Sequence, residues 1–431
     1  MRIALISEHA SPLATQGGVD SGGQNVYVAY VARQLGRAGH RVDVFTRRDD
    51  PSLPRTVDFA RNVRVIHVPA GPARPLPKEQ LLPHMGEFCD EIAAWCEHVP
   101  RQYDVAHANF FMSGLAAQRL RDAFGIPYVV TFHALGRVRR FHQGNADAFP
   151  PHRIEIEDAL VANADRVIAE CPQDFDDLVR LYRAREERID VVPCGVDTSE
   201  LGFGDGLARQ RLGIAENEFV VLQLGRMVPR KGVDNVIRGV GALRREHGID
   251  AKLLIVGGES PDPDPGRTPE IGRLQRVAEE EGVADCVVFT GQRTRAALRD
   301  YYCAADVFVT TPWYEPFGIT PLEAMACGRP VIGAAVGGIA HTVVDGETGY
   351  LVPPNDPVRL ADRLARLYRN PENARAFGRA GMHRVRHHFT WKQVANALAD
   401  VYESLCRPDS TDPVRAGART TDRPTDRVIN L

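Results

Sequence analysis

Paired cysteines are missing from this 431-residue chain. Its eight cysteines, Cys89, Cys96, Cys171, Cys194, Cys286, Cys303, Cys327 and Cys406, stand singly, and no C-x-x-C pair occurs. That argues against zinc ribbons and thioredoxin-like redox motifs and leaves small thiols in a reducing compartment. A long apolar run is also lacking. No stretch of about 18 apolar residues exists, so nothing reads as a membrane span. The opening MRIALISEHA is apolar only until Glu8 and His9, which marks a strand rather than a secretory leader. A cytoplasmic location is the expectation. Charge of one sign is not in excess either. Lys and Arg number 53 against 56 Asp and Glu, a net charge of -3, so no global pull toward nucleic acid or acidic membranes exists.

What is there is ordinary for a globular protein, 44% hydrophobic and 25% charged, and the length suits two domains. Short apolar runs alternate with amphipathic stretches. The first half has RIALIS, RVDVFT, VRVIHV, DVAHA, PYVVTF, RVIAE and IDVVP; the second has FVVLQL, AKLLIVG, CVVFTG, DVFVTT, PVIGAA and YLVP. Helical patterns such as NVYVAYVARQLGRAG and GRLQRVAEEEG lie between them. Continuous apolar strands separated by helices predict parallel sheets covered on both faces. Two such series predict an α/β chain of two doubly wound Rossmann-like domains facing each other across a cleft. The expected division is 1–200 and 201–389, with a last helix at about 390–406 rejoining the first domain. The tail 407–431 is rich in Pro, Thr, Asp and Arg and reads as disordered.

The chemistry-bearing motifs all follow strands, where open parallel sheets place their ligands. After the first strand, Gly17, Gly18, Gly22 and Gly23 precede a helix opening near Gln24. This is either a phosphate-binding turn or a flexible Gly-rich surface loop; it is not G-x-G-x-x-G, which weakens a nicotinamide reading. FVVLQL runs into GRMVPRKG, putting Arg226 at a strand end and Lys231 before a helix. Two cations aimed at one point suit a diphosphate leaving group, although solvated surface cations are the plain alternative. DVFVTT leads into PWYEPFGITPLEAMACGRPVIGAAVGG, with Glu315 in a loop and Glu323 in a first helical turn. Thr320, Pro321 and Glu323 match a capping box, which would explain Glu323 without any ligand. Otherwise the two carboxylates can accept ribose and sugar hydroxyls, while the amides of Phe317, Gly318, Ile319 and Thr320 face phosphate at the helix N-terminus. A lone His133 ends PYVVTF; such a residue is more often structural than functional.

The string EPFGITPLEAMACGRPVIGAAVGG, with GRMVPRKG upstream, resembles the retaining glycosyltransferases of group 1, family 4. The resemblance runs from Met1 to about residue 406 and implies the GT-B fold. It implies that Arg226 and Lys231 grip the donor diphosphate, Glu323 binds the ribose, Glu315 binds the donor sugar and Gly23 approaches donor phosphate. His133 would touch the donor sugar, orienting and stabilising it. The final helix, FTWKQVANALADVY, would cross back to the first domain. Family members of this kind are thought to attack from the front face, a donor phosphate oxygen taking the acceptor's proton, so no protein nucleophile is assigned. No cofactor or metal is expected, the nucleotide sugar being a co-substrate, and UDP is the family's commonest nucleotide, with GDP and ADP open.

The first half, EHASPLATQGGVDSGGQNVYV, is similar to two subfamilies, the inositol-phosphate N-acetylglucosaminyltransferases and the sucrose and sucrose-phosphate synthases. Against the first pattern His9, Asp20, Asn25 and Lys78 match, and Arg153 falls where a phosphate-binding Arg would sit. Phe110 stands where a Tyr is expected and Ala134 where a Thr is expected, removing two hydroxyls. Arg137, Arg139 and Arg140 add cations, the last two equally readable as a solvated helix face. The expected acceptor is small and hydrophilic, phosphorylated or plain, and not inositol phosphate. The rival readings are a sugar-nucleotide epimerase of the same fold and a non-catalytic nucleotide-sugar sensor. The oligomeric state is left open.

Overall fold

The computed structural model describes residues 1–14, 22–99, 101–204 and 206–406. Asp20, Gly17, Gly18 and the tail 407–431 lie outside the described residues. Each apolar run named above forms a strand, because side chains covered on both faces leave no room for a polar alternation. The first sheet contains β1 (Arg2–Ile6), β2 (Arg41–Arg47), β3 (Thr56–Ala60), β4 (Val63–Val68), β5 (Val105–Asn109), β6 (Tyr128–Thr131), β7 (Arg166–Ala169) and β8 (Ile189–Val191). The second contains β9 (Val220–Leu224), β10 (Lys252–Val256), β11 (Val287–Gly291), β12 (Val307–Thr310), β13 (Val331–Ala334) and β14 (Gly349–Val352). Their orders are β3-β4-β2-β1-β5-β6-β7-β8 and β11-β10-β9-β12-β13-β14.

All pairings are parallel except one. The exception, β3, runs antiparallel to β4 at the sheet edge. The sequence reading missed it. TVDFA has only a thin apolar face because an edge strand is half covered, and its partner follows after a tight turn at Asn62, whose φ is 61°. In both sheets the strand order reverses beside the first strand, between β1 and β5 and between β9 and β12. Those switch points open toward the carboxyl ends of the strands, where crevices form.

The last helix, Trp391–Cys406, lies against Gly23–Arg37 of the first lobe. Its start is a capping box: Thr390 Oγ1 accepts from Gln393 N at 3.3 Å, and Gln393 Oε1 accepts from Thr390 N at 3.0 Å. Trp391 is buried and stacks on Tyr30, centroids 5.4 Å apart and planes 9° apart. Tyr402 shares a 2.5 Å hydrogen bond with His107 Nδ1 on β5. One apolar cluster runs from Ile3 and Leu5 through Trp391, Val394 and Leu398 to Leu222 and Leu322 of the second lobe. The chain thus passes between lobes twice, and the two passages are joined where Val196 N donates to Phe389 O at 2.8 Å. Among the described residues no helix is long and apolar enough to cross a membrane. Trp391→Ala removes the ring that seats this helix and should cost roughly 3–5 kcal/mol, read as a lower thermal midpoint. An unchanged midpoint would show that the helix is held by other contacts.

Candidate functional site

On the second lobe the loop after β12 carries Glu315 against the turn that follows β9. Lys231 Nζ binds Glu315 Oε2, and Arg230 Nη1 stands 3.8 Å from the same oxygen. Gly232, at φ 63°, lets this turn approach the loop; a Cβ there would run into Thr311 O. Burial would raise the Glu315 pKa, yet the cations of Lys231, Arg230 and Arg226 hold it below the usual carboxylate value. Burial pushes Lys231 below its usual value, and the charges of Arg230 and Arg226 push the same way against Glu315. Three cations about one carboxylate leave an excess of positive charge at a strand end. Such a place stabilises an arriving dianion or one whose charge grows during reaction. Arg230 belongs to this group and was passed over in the sequence, although it adjoins Lys231 in GRMVPRKG.

The helix Ile319–Ala326 starts beside this cluster, with Gly318 at its N-cap and φ 83°. The capping-box reading of Thr320, Pro321 and Glu323 is therefore corrected. Gly318 starts the helix ahead of Thr320, no side chain caps it, and Thr320 and Pro321 already lie in the first turn. Glu323 instead sits one turn in, buried, accepting from Arg295 Nη1 at 2.7 Å and Tyr302 OH at 2.8 Å. Phe317 is buried, with its backbone so close to Gly338 that any side chain there would clash. Across the groove, Gly23 opens its helix with Ile319 as its near neighbour; a Cβ on Gly23 would stand 3.5 Å from Ile319 Cδ1.

On the first lobe, His133 lies two residues beyond the end of β6, with φ 57°. Its Nδ1 lies 3.0 Å from Glu170 Oε1 and its Nε2 3.0 Å from Asn109 Oδ1. His9 Nδ1 is 2.6 Å from Glu8 Oε1, and its ring meets Phe110 edge-on at 5.0 Å. Asn25 serves the loop: its side chain donates to Ser11 O and accepts from Gly22 N, both at 3.0 Å. Lys78 opens the short turn Lys78–Gln80. Arg137 pairs with Asp158 at 2.6 Å and lies over the Tyr182 ring. Arg153 is turned inward. It is 2% exposed, its Nε donates to Glu157 at 2.7 Å, and Phe110, Phe111 and Phe149 surround its guanidinium at 4.6–4.9 Å. It also donates to Ala134 O, so it fixes the loop that follows β6. Arg139 is tied to Asp147 at 2.6 Å, whereas Arg140 is exposed.

The lobes meet around a cavity of about 990 Å³. Val138, Phe141 and Leu181 line it from one lobe, and Trp313, Glu315 and Gly337 from the other. Its lips touch where His142 stacks on Tyr314 at 4.9 Å and where Cys171 Sγ donates to Pro316 O at 3.3 Å. Among the described residues no group of three or more His, Cys, Asp or Glu is placed to hold a metal ion.

Asp174, on the cavity wall, accepts the Glu170 N–H at 3.1 Å. Burial first, then the neighbouring Glu170 charge, lift its pKa to about 8. A raised carboxyl pKa means that the folded state holds a proton the unfolded state releases. Its stabilisation is complete below the unfolded value near 4 and is lost as pH rises toward about 8. Asp174→Asn should therefore gain thermal midpoint over the parent as pH goes from 5 to 8; a constant gap would refute the assignment.

Two family profiles divide the chain between them. One described as Glycosyltransferase Family 4 matches residues 21–200, and one described as Glycosyl transferases group 1 matches residues 206–384. The D-inositol 3-phosphate glycosyltransferase of Acidothermus cellulolyticus is 38% identical over 407 residues, 93% of this chain and 90% of that one. Its namesake from Actinosynnema mirum is 38% identical over 410 residues, covering 93% and 96%. Among solved structures, a sucrose-phosphate synthase from Thermosynechococcus elongatus superposes with a TM-score of 0.85 at 34% identity, covering 94% of this chain and 98% of that one. The lipopolysaccharide-biosynthesis glycosyltransferase WaaG shares the fold at 19% identity, TM-score 0.67, covering 93% and 99%. Two facing parallel sheets, a cation cluster at their groove and these matches converge: the chain belongs to the group 1, family 4 glycosyltransferases of GT-B fold, hexosyltransferases that use a nucleotide-sugar donor.

Proposed function

We propose that this enzyme is a retaining transferase that moves a hexose-type sugar from a UDP-sugar to a small hydrophilic acceptor. The observation that carries the reading is the cluster of Lys231, Arg230 and Arg226 about Glu315, beside the N-terminus of Ile319–Ala326. The cations take the pyrophosphate, whose negative charge grows as the sugar departs. The free amides of the helix start, with Gly318 opening the turn, add partial positive charge at the same point. Glu315 exchanges its partner Lys231 for donor-sugar hydroxyls, and Glu323 reads the ribose. Gly23, facing Ile319, leaves room for phosphate between the lobes.

His133 touches the donor sugar from the first lobe. His9, Asn25, Lys78 and Arg137, together with Asp20, make the acceptor side. Arg153, paired with Glu157 and boxed by three phenylalanines, supports that side by holding the loop at Ala134. The acceptor is then a polyol or sugar, phosphorylated or plain, and its phosphate is not what the site is built around. Closing of the lobes expels water and limits donor hydrolysis.

Two measurements test this reading. A thermal-shift screen over nucleoside diphosphates and their sugars should give its largest rise with UDP and a UDP-sugar, and Glu323→Ala or Arg226→Ala should abolish it. An unchanged shift in both variants would sink the donor assignment. With an acceptor found from a panel of plain and phosphorylated polyols, Lys231→Ala should lower kcat/KM by about 10²–10³. Product formed with inverted anomeric configuration, or donor epimerised without acceptor, would replace the proposed reaction.

A further inference from the structure

Glu170 has no part in the reading above, and no motif marks it. It follows β7, the strand beside β6, and its side chain is 4% exposed. One of its oxygens, Oε1, lies 3.0 Å from His133 Nδ1 and accepts from Cys194 Sγ at 3.1 Å. Burial opposes its charge, but His133 and then Cys194 hold its pKa below the usual carboxylate value.

Among the groups around it, His133 is the basic side chain at hydrogen-bond distance. From the helix Pro172–Tyr182, Asp174 is protonated at neutral pH, its pKa lifted to about 8. Cys171 and Cys194 are thiols, burial pushing the first up to about 12 and the second well above its usual value. Burial likewise raises Tyr27, whose ring meets His133 edge-on at 4.8 Å. On β5, burial and then His133 hold His107 down to about 3, so it is neutral. Glu315, across the groove, is a second carboxylate acting on Glu170, and it is itself engaged by Lys231.

The other ring nitrogen is fixed too. Asn109 Nδ2 donates to Ile6 O at 3.3 Å, which turns its carbonyl oxygen toward His133 Nε2 at 3.0 Å. Both ring nitrogens thus face oxygens that can only accept. The backbone of His133 stands at φ 57°, a conformation that persists only where surrounding contacts enforce it.

We infer that Glu170 is the positioning residue of His133: its buried carboxylate holds Nδ1 and, with Asn109 on the other nitrogen, fixes the ring in the segment that follows β6. The inference rests on the proposed reading in which His133 contacts the donor sugar. It assigns to Glu170 an effect that passes wholly through His133.

The test uses the full chain, with Glu170→Gln as an isosteric neutral variant. In ¹⁵N-histidine spectra at one fixed pH, with the His133 signals identified by their loss in His133→Ala, the parent Nδ1 should show the signature of a nitrogen whose N–H donates to a carboxylate, and Glu170→Gln should move that signal. With UDP-glucose as probe and UDP release as readout, Glu170→Gln should lose about tenfold or more in kcat with donor KM little changed. In the His133→Ala background the same substitution should cost nothing further. Should the glutamine variant melt early, Glu170→Asp keeps the carboxylate on a shorter arm, and its kcat should stay nearer the parent's. An Nδ1 signal left unmoved in Glu170→Gln, or an equal loss with and without His133, would overturn the inference. If His133→Ala alone turns over at the parent rate, the contact reading of His133 fails, while the spectra still decide whether Glu170 holds the ring.

Discussion

The arrangement turns on a single carboxylate that three cations share. Glu315 sits where the loop after β12 meets the turn after β9, with Lys231 on one oxygen and Arg230 and Arg226 nearby. Like charges this close repel, and burial makes the repulsion stronger. Glu315 offsets part of it and keeps the cations gathered. The pKa of Lys231 still falls below its ordinary value, so the offset is incomplete. On the proposed reading a polyanionic donor would complete it, making binding of the leaving group and relief of this repulsion one event.

The parallel sheets make that cluster possible. Strands buried on both faces are stiff, and their carboxyl ends deliver loops to one edge of each lobe. Gly232 then lets the turn after β9 come closer to the loop after β12 than a side chain would permit. The first lobe answers with a different kind of group: His133, gripped by Glu170 and Asn109, and Phe110 at φ 87°. Cationic turns on one side and a rigid imidazole on the other fit a donor whose phosphates and sugar lie across the groove.

Much of this was legible in the residues, and the parts that were not share a cause. The thirteen apolar runs became strands because a strand covered on both faces must be apolar along its length. β3 was missed because an edge strand has only one covered face. Glu315, Lys231 and Arg226 were singled out through spacing and resemblance, and the structure gathers them in one cluster. Arg230 was overlooked beside Lys231, since one cation already satisfied the motif. Thr320, Pro321 and Glu323 spelled a capping box, but a helix begins where the backbone turns, and the left-handed Gly318 set that point ahead of Thr320. Arg153 looked like a phosphate ligand in one dimension. Three aromatic rings and Glu157, drawn from separate parts of the chain, turn it inward. Glu170 carried no pattern, because its meaning depends on His133, which follows a neighbouring strand.

The double passage between the lobes has a mechanical consequence. Near Val196 and near Thr390 the backbone crosses side by side, laced by a hydrogen bond and wedged by Trp391 against Gly195. A lone tether would permit swivelling in any direction. Two strands bound edge to edge resist torsion and yield mainly to flexing about the line joining them. Any opening of the jaws would therefore follow one path, and closing would return Ile319 to the same seat opposite Gly23.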